Sequence, residues 1–216
     1  CWSCKALERH RILWKYLKEE SDFLKRHLRL LHIAPEPWFY PYFEKNPATE
    51  YYPGDLEPEG YWQNGQTAVV KTDLTQLQYV DNFFDLIIAN HVLEHIPNDI
   101  KAMSEMYRVL KKGGTAIFMT PIFYHPRPLG YDTSRTYEDF SITTEEGRLK
   151  AFGQSDHVRV YGTDFKDRVE SVGFTYKEFN HVGKLSKKEL YRYGMETGDA
   201  VQYGLKSIAA WPGRLL

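Results

Sequence analysis

Three features are scarce in this sequence, and each scarcity excludes a class of protein. Only two of the 216 residues are cysteines, too few for the disulfide framework of a small secreted domain. No apolar run approaches the roughly 18 residues that span a bilayer, and no signal peptide is visible. Neither charge sign is in excess, since 28 Lys and Arg stand against 29 Asp and Glu. We therefore expect a cytoplasmic protein without a membrane or nucleic-acid partner.

The hydrophobic residues, in contrast, are plentiful and regularly arranged. They make up 42% of the chain, which suffices for one sizeable core. Short apolar runs alternate with segments of helical periodicity, a pattern that favours a parallel α/β sheet. We predict helices over 5–19 and 99–110, and one that starts at 163 or 164. The predicted strands cover 28–33, 50–52, 67–71, 86–90, 115–120, 174–179 and 201–209.

The most informative segment is the apolar run Leu86–Ala89, which ends abruptly in Asn90 and His91. Such a run suits a strand that is buried on both faces in the centre of a parallel sheet. Ligands of these sheets bind in the crevice beyond the carboxyl ends of the strands. Asn90 and His91 are therefore predicted to line a binding or catalytic site.

Four segments in order resemble one family of enzymes. "FDLIIANHVLEHI" (Phe84–Ile96) is similar to the fourth conserved block of class I S-adenosylmethionine-dependent methyltransferases. "YRVLKKGGTAIFMTP" (Tyr107–Pro121) and "FKDRVESVGFTYKEF" (Phe165–Phe179) resemble its later blocks, and "LRLLHIAPEP" (Leu28–Pro37) stands at its first motif. The order and spacing of the blocks is more specific than any one of them.

The resemblance implies an α/β fold with a Rossmann-like, mostly parallel seven-stranded sheet, an antiparallel edge strand and helices on both faces. Residues 1–27 are predicted to form an N-terminal helical segment, and 28–216 the methyltransferase-like domain. The last two strands are joined by "LSKKELYRYGM", which offers only a short helix. This connection is the reason to expect one reversed strand.

The first motif departs from the family pattern. Glycines after the first strand normally let backbone amides approach the cofactor, but here the chain reads His32–Pro37, with two prolines that donate no hydrogen bond. A bacterial subgroup has a similar "HIAPE" form. The resemblance implies cofactor contacts by His32, by the small Ala34 and by Glu36, whose carboxylate could accept from the cofactor ammonium.

Carboxylates follow the next two strands. The resemblance places Asp55 on the ribose diol, because one carboxylate accepts two hydrogen bonds; Glu57 is the alternative if the strand ends later. Asp73 would face the adenine amino group, and Leu74 would pack on the ring. Either aspartate could instead stabilise a turn. Asn90 and His91 complete the predicted cofactor site.

Residues 121–161 are rich in aromatic and turn residues and break the βα pattern, which is typical of a lid or binding loop. We predict that this insertion covers the crevice and that His157 and Arg159 contact the methyl acceptor. Arg159 would orient an acidic group, and His157 or His91 would accept a proton. His125 and Asp156 are further candidates. A purely structural role, with Arg159 in a salt bridge and His157 packed under the loop, is equally compatible with the sequence.

The two cysteines, Cys1 and Cys4, have the spacing of half a zinc ribbon. A structural zinc ion requires four ligands, and His10 could supply only a third. "CWSCKALERHR" resembles the N-terminus of the same bacterial subgroup. Because the chain begins with cysteine and not methionine, we expect it to be part of a longer protein, and zinc only there.

The sequence thus predicts S-adenosylmethionine-dependent methyl transfer to a small-molecule or sugar-like acceptor. Two alternatives remain. The altered first motif is also compatible with a degenerate cofactor-binding or partner-binding module that transfers no methyl group. A nicotinamide-dependent oxidoreductase is disfavoured because no G-x-G-x-x-G follows the first strand. The acceptor, the atom methylated and the oligomeric state are not encoded in any motif we recognise.

Overall fold

A computed structural model describes residues 6–63, 65, 68–122, 132–180, 182–195 and 200–208. Its centre is one sheet of seven strands in the order β3-β2-β1-β4-β5-β9-β8. The strands of this sheet are β1 Leu28–Ile33, β2 Thr49–Asp55, β3 Val70–Lys71, β4 Phe84–Ile88, β5 Leu110–Ile117, β8 Phe174–Phe179 and β9 Val201–Lys206.

The sheet is mostly parallel, as predicted. Strands β1 to β5 pair in parallel, whereas β9 pairs antiparallel with both β5 and β8. The reversed strand therefore lies next to the edge of the sheet, between β5 and the outermost strand β8. The order reverses direction between β1 and β4, which is where a ligand crevice opens in such sheets.

Seven α-helices connect the strands in the described ranges. They are α1 Glu8–Lys15, α2 Tyr40–Lys45, α3 Glu59–Gln63, α4 Asp99–Val109, α5 Glu145–Phe152, α6 Phe165–Ser171 and α7 Lys187–Tyr193. A π-helical turn, Tyr16–Glu20, extends α1, and a 3-10 turn, Leu93–His95, follows β4. Every helix in this part of the chain is too short or too polar to traverse a lipid bilayer.

Helix α4 illustrates why the elements form where they do. The Asn98 side chain accepts a hydrogen bond from Lys101 N and so caps the first turn. Apolar residues then recur at helical spacing, and the buried ones face the sheet. They are Ala102, Met103, Met106 and Val109.

The core has two parts, one on each face of the sheet. On one face α4 and α6 cover side chains such as Leu31, Ile87 and Phe118. On the other face α1, α2 and the π-helical turn cover side chains such as Leu30 and Ile88. Helices on both faces were predicted, and this arrangement is confirmed.

The insertion at 121–161 is partly built into the fold. Two short strands, β6 Tyr137–Glu138 and β7 Arg159–Val160, form a small antiparallel sheet. Residues 157–161 are buried, whereas 153–156 are exposed. The end of the insertion is thus a fixed wall beside the 3-10 turn, and its role as a cover stays a prediction.

Candidate active site

Three central strands end in residues with left-handed backbone conformation. Ala34 follows β1 with φ 49°, His91 follows β4 with φ 51° and Met119 follows β5 with φ 37°. This conformation is costly for residues that carry a Cβ atom. All three lie at the carboxyl edge of the sheet, where the crevice is expected, so the strain is concentrated at the candidate site.

The turn after β1 takes the place of the family's glycine-rich motif. Ala34 adopts the positive φ that a glycine would adopt there, and its N–H donates to Gly54 O at 2.9 Å. Pro35 and Pro37 flank the turn and fix their own φ angles. The turn therefore reaches the required path with alanine and proline in place of glycine.

A hydrogen-bonded network fills the crevice between β1 and β4. The Glu36 carboxylate lies 2.7 Å from His32 Nε2 and accepts a hydrogen bond of 2.8 Å from Asn90 Nδ2. His32 Nδ1 lies 3.0 Å from the Tyr51 hydroxyl. His32 is fully buried, and the Glu36 side chain is 13% exposed. Three of the predicted cofactor residues are thus brought together, although 54 positions separate Glu36 from Asn90.

The network favours the charged form of Glu36. Burial alone raises the pKa of this carboxyl, but the hydrogen bond and charge of His32 and the hydrogen bond from Asn90 outweigh burial. The pKa consequently lies below its ordinary value. Glu36 is therefore a carboxylate at neutral pH and can bind an ammonium group.

The aspartates after β2 and β3 differ in their surroundings. Asp55 ends β2 and accepts hydrogen bonds from Glu57 N at 2.8 Å and from the Tyr61 hydroxyl at 3.1 Å. Glu57 itself is exposed. Asp73 is exposed too, and its Oδ1 accepts from the backbone N–H and the hydroxyl of Thr75. Asp73 thus stabilises a turn, and its contact with the adenine amino group stays a prediction.

Leu74, predicted to pack on an adenine ring, is 3% exposed. It belongs to the core on the α4 face, together with Leu31 and Ile33. The contact with a ring stays a prediction, and the side chain has little surface left to make it.

His91 pairs with a buried carboxylate that sequence reasoning undervalued. Its Nδ1 lies 3.3 Å from Glu94 Oε1, and the Glu94 side chain is 1% exposed. Glu94 Oε2 accepts from the Thr120 hydroxyl at 3.1 Å, just past β5. Burial raises the pKa of Glu94, but hydrogen bonding and charge from His91 more than compensate, so the pKa is lowered. The signal in the sequence was that Thr120, like Asn90, follows a central strand.

Arg159, predicted to orient the acceptor, is enclosed by the protein. Its side chain is 0% exposed, and Nε donates to Glu138 at 2.9 Å. Nη1 and Nη2 donate to the main-chain carbonyls that surround Glu94 and His95, namely those of Leu93, Ile96 and Pro97. Four of the five N–H donors of the guanidinium thus bind the protein itself. Arg159 positions the turn that carries Glu94, and a contact with the acceptor stays a prediction.

His157 lies beside that turn and is held there by its own contacts and those of Val158. Its ring packs edge-on against His95 with 4.7 Å between centroids. Val158 N donates to Glu94 O at 3.0 Å and fixes the two segments against each other. Asp156 is exposed and lies 3.3 Å from His95 Nδ1. The insertion thus brings polar side chains close to His91 and Glu94, and a role for His157 at the acceptor stays a prediction.

An aromatic cavity adjoins the Glu36 network. It measures about 540 Å³ and is lined by α1, α2 and the end of α7. Its wall includes Trp14, Trp38, Phe39 and Tyr42. Phe39 links it to the network, since its ring centroid lies 6.4 Å from that of His32.

His10 stands at the cavity wall, which sequence reasoning did not anticipate. Its Nδ1 accepts from Leu7 N at 3.2 Å, and its Nε2 is buried without a hydrogen-bond partner among the described residues. Burial lowers its pKa, and the charges of Glu36 and His91 also act on it. His10 was considered only as a third zinc ligand. Cys1, Cys4 and His125 lie outside the described residues, so the zinc prediction is untested.

These residues suit the predicted cofactor. Asn90 Oδ1 is buried and has no hydrogen-bond partner among the described residues, so it is an acceptor in need of a donor. Glu36 supplies a negative charge beside it, and Asp55 a carboxylate at the next strand end. A ligand with an ammonium group and a diol would satisfy this set.

Comparison with known proteins agrees with this geometry. Residues 39–118 match a protein family described as a methyltransferase domain. The chain is 34% identical over 90 residues to the ubiquinone/menaquinone biosynthesis C-methyltransferase UbiE of Psychromonas ingrahamii, a match that covers 40% of this chain and 34% of that protein. The chain thus spans about a third of the length of the curated relatives it matches.

Solved structures share the fold. One is the 1,6-didemethyltoxoflavin-N1-methyltransferase of Burkholderia thailandensis with 1,6-didemethyltoxoflavin and S-adenosylhomocysteine bound (TM-score 0.58, 16% identity, 95% of this chain and 80% of that chain). Another is phosphoethanolamine N-methyltransferase 2 of Haemonchus contortus in complex with S-adenosyl-L-methionine (TM-score 0.54, 15% identity, 92% and 52%). The chain is thus similar to S-adenosylmethionine-dependent methyltransferases in its fold and, over residues 39–118, in its sequence.

Proposed function

We propose that the protein transfers a methyl group from S-adenosylmethionine to a small-molecule acceptor that has a flat or apolar ring. The observation that carries the proposal is the buried network of His32, Glu36 and Asn90 at the carboxyl ends of β1 and β4. It holds a charged carboxylate and an unpartnered amide oxygen at the point of the sheet where ligands bind.

Two polar groups of the cofactor, the ammonium and the ribose diol, have counterparts in this chain. Glu36 and Asn90 Oδ1 would accept from the ammonium, and Asp55 would accept from the ribose diol. When bound, the cofactor supplies an electrophilic methyl group on a sulfonium ion. The protein contributes alignment, which is worth roughly 7–11 kcal/mol for a well-oriented displacement.

His91 is suited to remove the proton of the acceptor. His91 Nδ1 lies 3.3 Å from the Glu94 carboxylate, and with the proton on Nδ1 the Nε2 atom would be left as the proton acceptor. The acceptor atom would form the bond to the methyl carbon while the methyl–sulfur bond breaks, its electron pair would stay on sulfur in S-adenosylhomocysteine, and the acceptor's proton would pass to His91 Nε2. Buried Glu94 would stabilise the resulting imidazolium.

The aromatic cavity supports the choice of acceptor class. Trp14 and Tyr42 pack edge-on at 4.9 Å between centroids, and Trp38 is 37% exposed. Such rings offer a face to a planar ligand. His10 Nε2 would donate to an oxygen of that ligand. The insertion 121–161 would cover the acceptor, and the quinone pathway named for the UbiE relative makes a quinol a suitable first test compound.

Calorimetry with S-adenosylhomocysteine tests the cofactor site. We expect binding by the native protein and a loss of about 10- to 100-fold in affinity for Glu36→Gln or Asp55→Asn, because each removes one or more charged hydrogen bonds worth about 1.5–3 kcal/mol. Asp167→Asn, at an exposed position on α6, is the matched control. Absence of binding by the native protein would refute methyl transfer, and binding of a nicotinamide dinucleotide would favour an oxidoreductase.

A panel of acceptors tests the second half of the proposal. Formation of S-adenosylhomocysteine would be followed with quinols, aromatic amines and sugars as acceptors. Turnover is expected with ring compounds, and Trp14→Ala should raise KM for them with less effect on cofactor affinity. Turnover with sugars alone, unaffected by Trp14→Ala, would contradict the assignment of the cavity.

A further inference from the structure

A cluster of nitrogen and oxygen ligands lies outside the proposed cofactor site. Glu94, His95 and His157 each direct one potential ligand atom into a common space, and these three atoms lie within 4.8 Å of one another. We propose that this cluster binds one divalent transition-metal ion. Two imidazoles and one carboxylate form a common protein ligand set for such ions.

The fold holds the three residues together independently of any ion. Glu94 and His95 belong to the 3-10 turn after β4, and His157 arrives with the end of the insertion, 62 positions further along the chain. Val158 N donates to Glu94 O, and Arg159 binds the carbonyls of Leu93, Ile96 and Pro97 on both sides of the turn. The two segments are thus clamped by main-chain and guanidinium contacts, and the ligand set is preorganised.

Neighbouring groups also orient the potential ligands. Asp156 Oδ2 lies 3.3 Å from His95 Nδ1, an arrangement that fixes the ring of many metal-binding histidines and leaves the other nitrogen to coordinate. The Thr120 hydroxyl donates to Glu94 Oε2 at 3.1 Å. A carboxylate has about four lone-pair sites, so Glu94 can keep this bond and its contact with His91 while it binds an ion.

The donor types narrow the choice of ion. Magnesium and calcium prefer sites made entirely of oxygen. A site with two nitrogen donors suits zinc, cobalt, nickel or iron. Typical bonds of about 2.0–2.2 Å put tetrahedral ligand atoms about 3.4 Å apart, so ligand atoms that lie within 4.8 Å of one another would close by at most about 1.4 Å. Three protein ligands would leave a position for water or for an oxygen of the acceptor, and this last role alone depends on the proposed function.

The test uses the full chain with Cys1→Ser and Cys4→Ser, which removes the other metal-binding candidate. The metal-free protein is titrated with Co²⁺ by calorimetry and by absorption spectroscopy. We expect one ion per chain, visible d–d bands without a thiolate charge-transfer band, and displacement by Zn²⁺. His157→Ala should weaken Co²⁺ binding by more than about 100-fold, since even outer partners of metal ligands contribute about 10- to 100-fold.

Two further variants sharpen the result. Asp156→Asn should weaken binding by about 10-fold, because it removes only the group that orients His95. His27→Ala, at an exposed position far along the chain from the cluster, should leave affinity unchanged. If circular dichroism shows that His157→Ala is unfolded, His95→Ala replaces it, because the His95 side chain is 34% exposed.

Three outcomes would overturn the inference: no stoichiometric Co²⁺ binding, binding unchanged in the His157 or His95 variant, or equal loss in His27→Ala. Binding of S-adenosylhomocysteine is measured on the same samples. Cofactor binding without metal binding refutes the metal site and leaves the proposed function intact. Metal binding without cofactor binding refutes the proposed function and leaves the metal site intact.

Discussion

Replacement of Arg159 by leucine is the most decisive test of how the candidate site is held in place. The guanidinium binds Glu138 and the carbonyls of Leu93, Ile96 and Pro97, and its side chain is 0% exposed. Leucine retains part of the apolar packing but none of these hydrogen bonds. The substitution therefore isolates the polar contribution.

The expected cost follows from what the substitution leaves behind. Removal of one partner of a buried ion pair typically costs about 3–5 kcal/mol, because the other charge is left without compensation. Here the Glu138 side chain is 31% exposed and keeps the Arg168 guanidinium at 3.4 Å, so its charge stays partly compensated and this loss falls to about 2 kcal/mol. The three carbonyls lose their shared donor as well, and an unsatisfied buried polar group costs about 1–3 kcal/mol. We therefore expect Arg159→Leu to lower the free energy of unfolding by about 3–5 kcal/mol.

Urea denaturation at neutral pH measures this quantity. For a chain of this length, about 3–5 kcal/mol corresponds to a fall in Tm of roughly 6–20 °C. Arg192→Leu, on the exposed side of α7, is the matched control and should change the free energy of unfolding by less than about 0.5 kcal/mol. A loss below about 1 kcal/mol for Arg159→Leu would refute the structural role and favour the prediction that Arg159 serves the acceptor.

Three other predictions concern single groups. Glu105→Gln should make the free energy of unfolding depend less on pH in the acid range. The hydrogen bond from Arg108 lowers the pKa of Glu105 below its ordinary value of 4.5, so the carboxylate stabilises the native protein above pH 4.5. This contribution is lost as the pH falls through the native pKa. His91→Ala should slow methyl transfer by about 10²- to 10⁴-fold if the acceptor must lose a proton, as steady-state rates will tell. Thr120→Val should lower the free energy of unfolding by about 1–3 kcal/mol, because buried Glu94 loses a donor.

The control for Glu105→Gln is the same substitution at an exposed glutamate. Glu146→Gln, on α5, should leave the pH profile of stability unchanged. Parallel pH profiles for Glu105→Gln and the native protein would contradict the assignment to Glu105. An undiminished rate for His91→Ala at every pH would exclude it as the base, and an unchanged unfolding curve for Thr120→Val would show that the hydroxyl does not support Glu94.

Local pattern was enough to predict the bounds of two strands. The predicted bounds of β1 and β8 agree with the observed ones, because each is an apolar or alternating run between clear breaks. The next strand was predicted over 115–120 but begins at Leu110, directly after α4 ends at Val109. Gly113 and Gly114 therefore lie within β5, where a Cβ on Gly114 would stand 2.1 Å from a Leu110 methyl. Gly114 is therefore required because a side chain at this position would clash with Leu110, a contact that local sequence pattern does not reveal.

In the candidate site, too, some residues could be predicted from the sequence and others could not. Asn90 could be predicted because it directly follows a buried strand, and strand ends converge in a parallel sheet. The role of Arg159 could not, since its partners lie 62 to 66 positions earlier in the chain and are main-chain carbonyls without a sequence signature. Contacts of this kind depend on the route of the insertion across the sheet.

The turn at Ala34 has a consequence for the thermodynamics of ligand binding. A glycine-rich turn samples many conformations when empty and must be ordered when its ligand arrives. Here Pro35 and Pro37 restrict the backbone, and Ala34 is held at φ 49° by its bond to Gly54. The loss of conformational entropy, about 1–2 kcal/mol for each ordered residue, therefore falls on folding and not on binding. The site would gain affinity from rigidity at the expense of fold stability, and cofactor binding should show a smaller entropic penalty than in relatives with a glycine-rich turn.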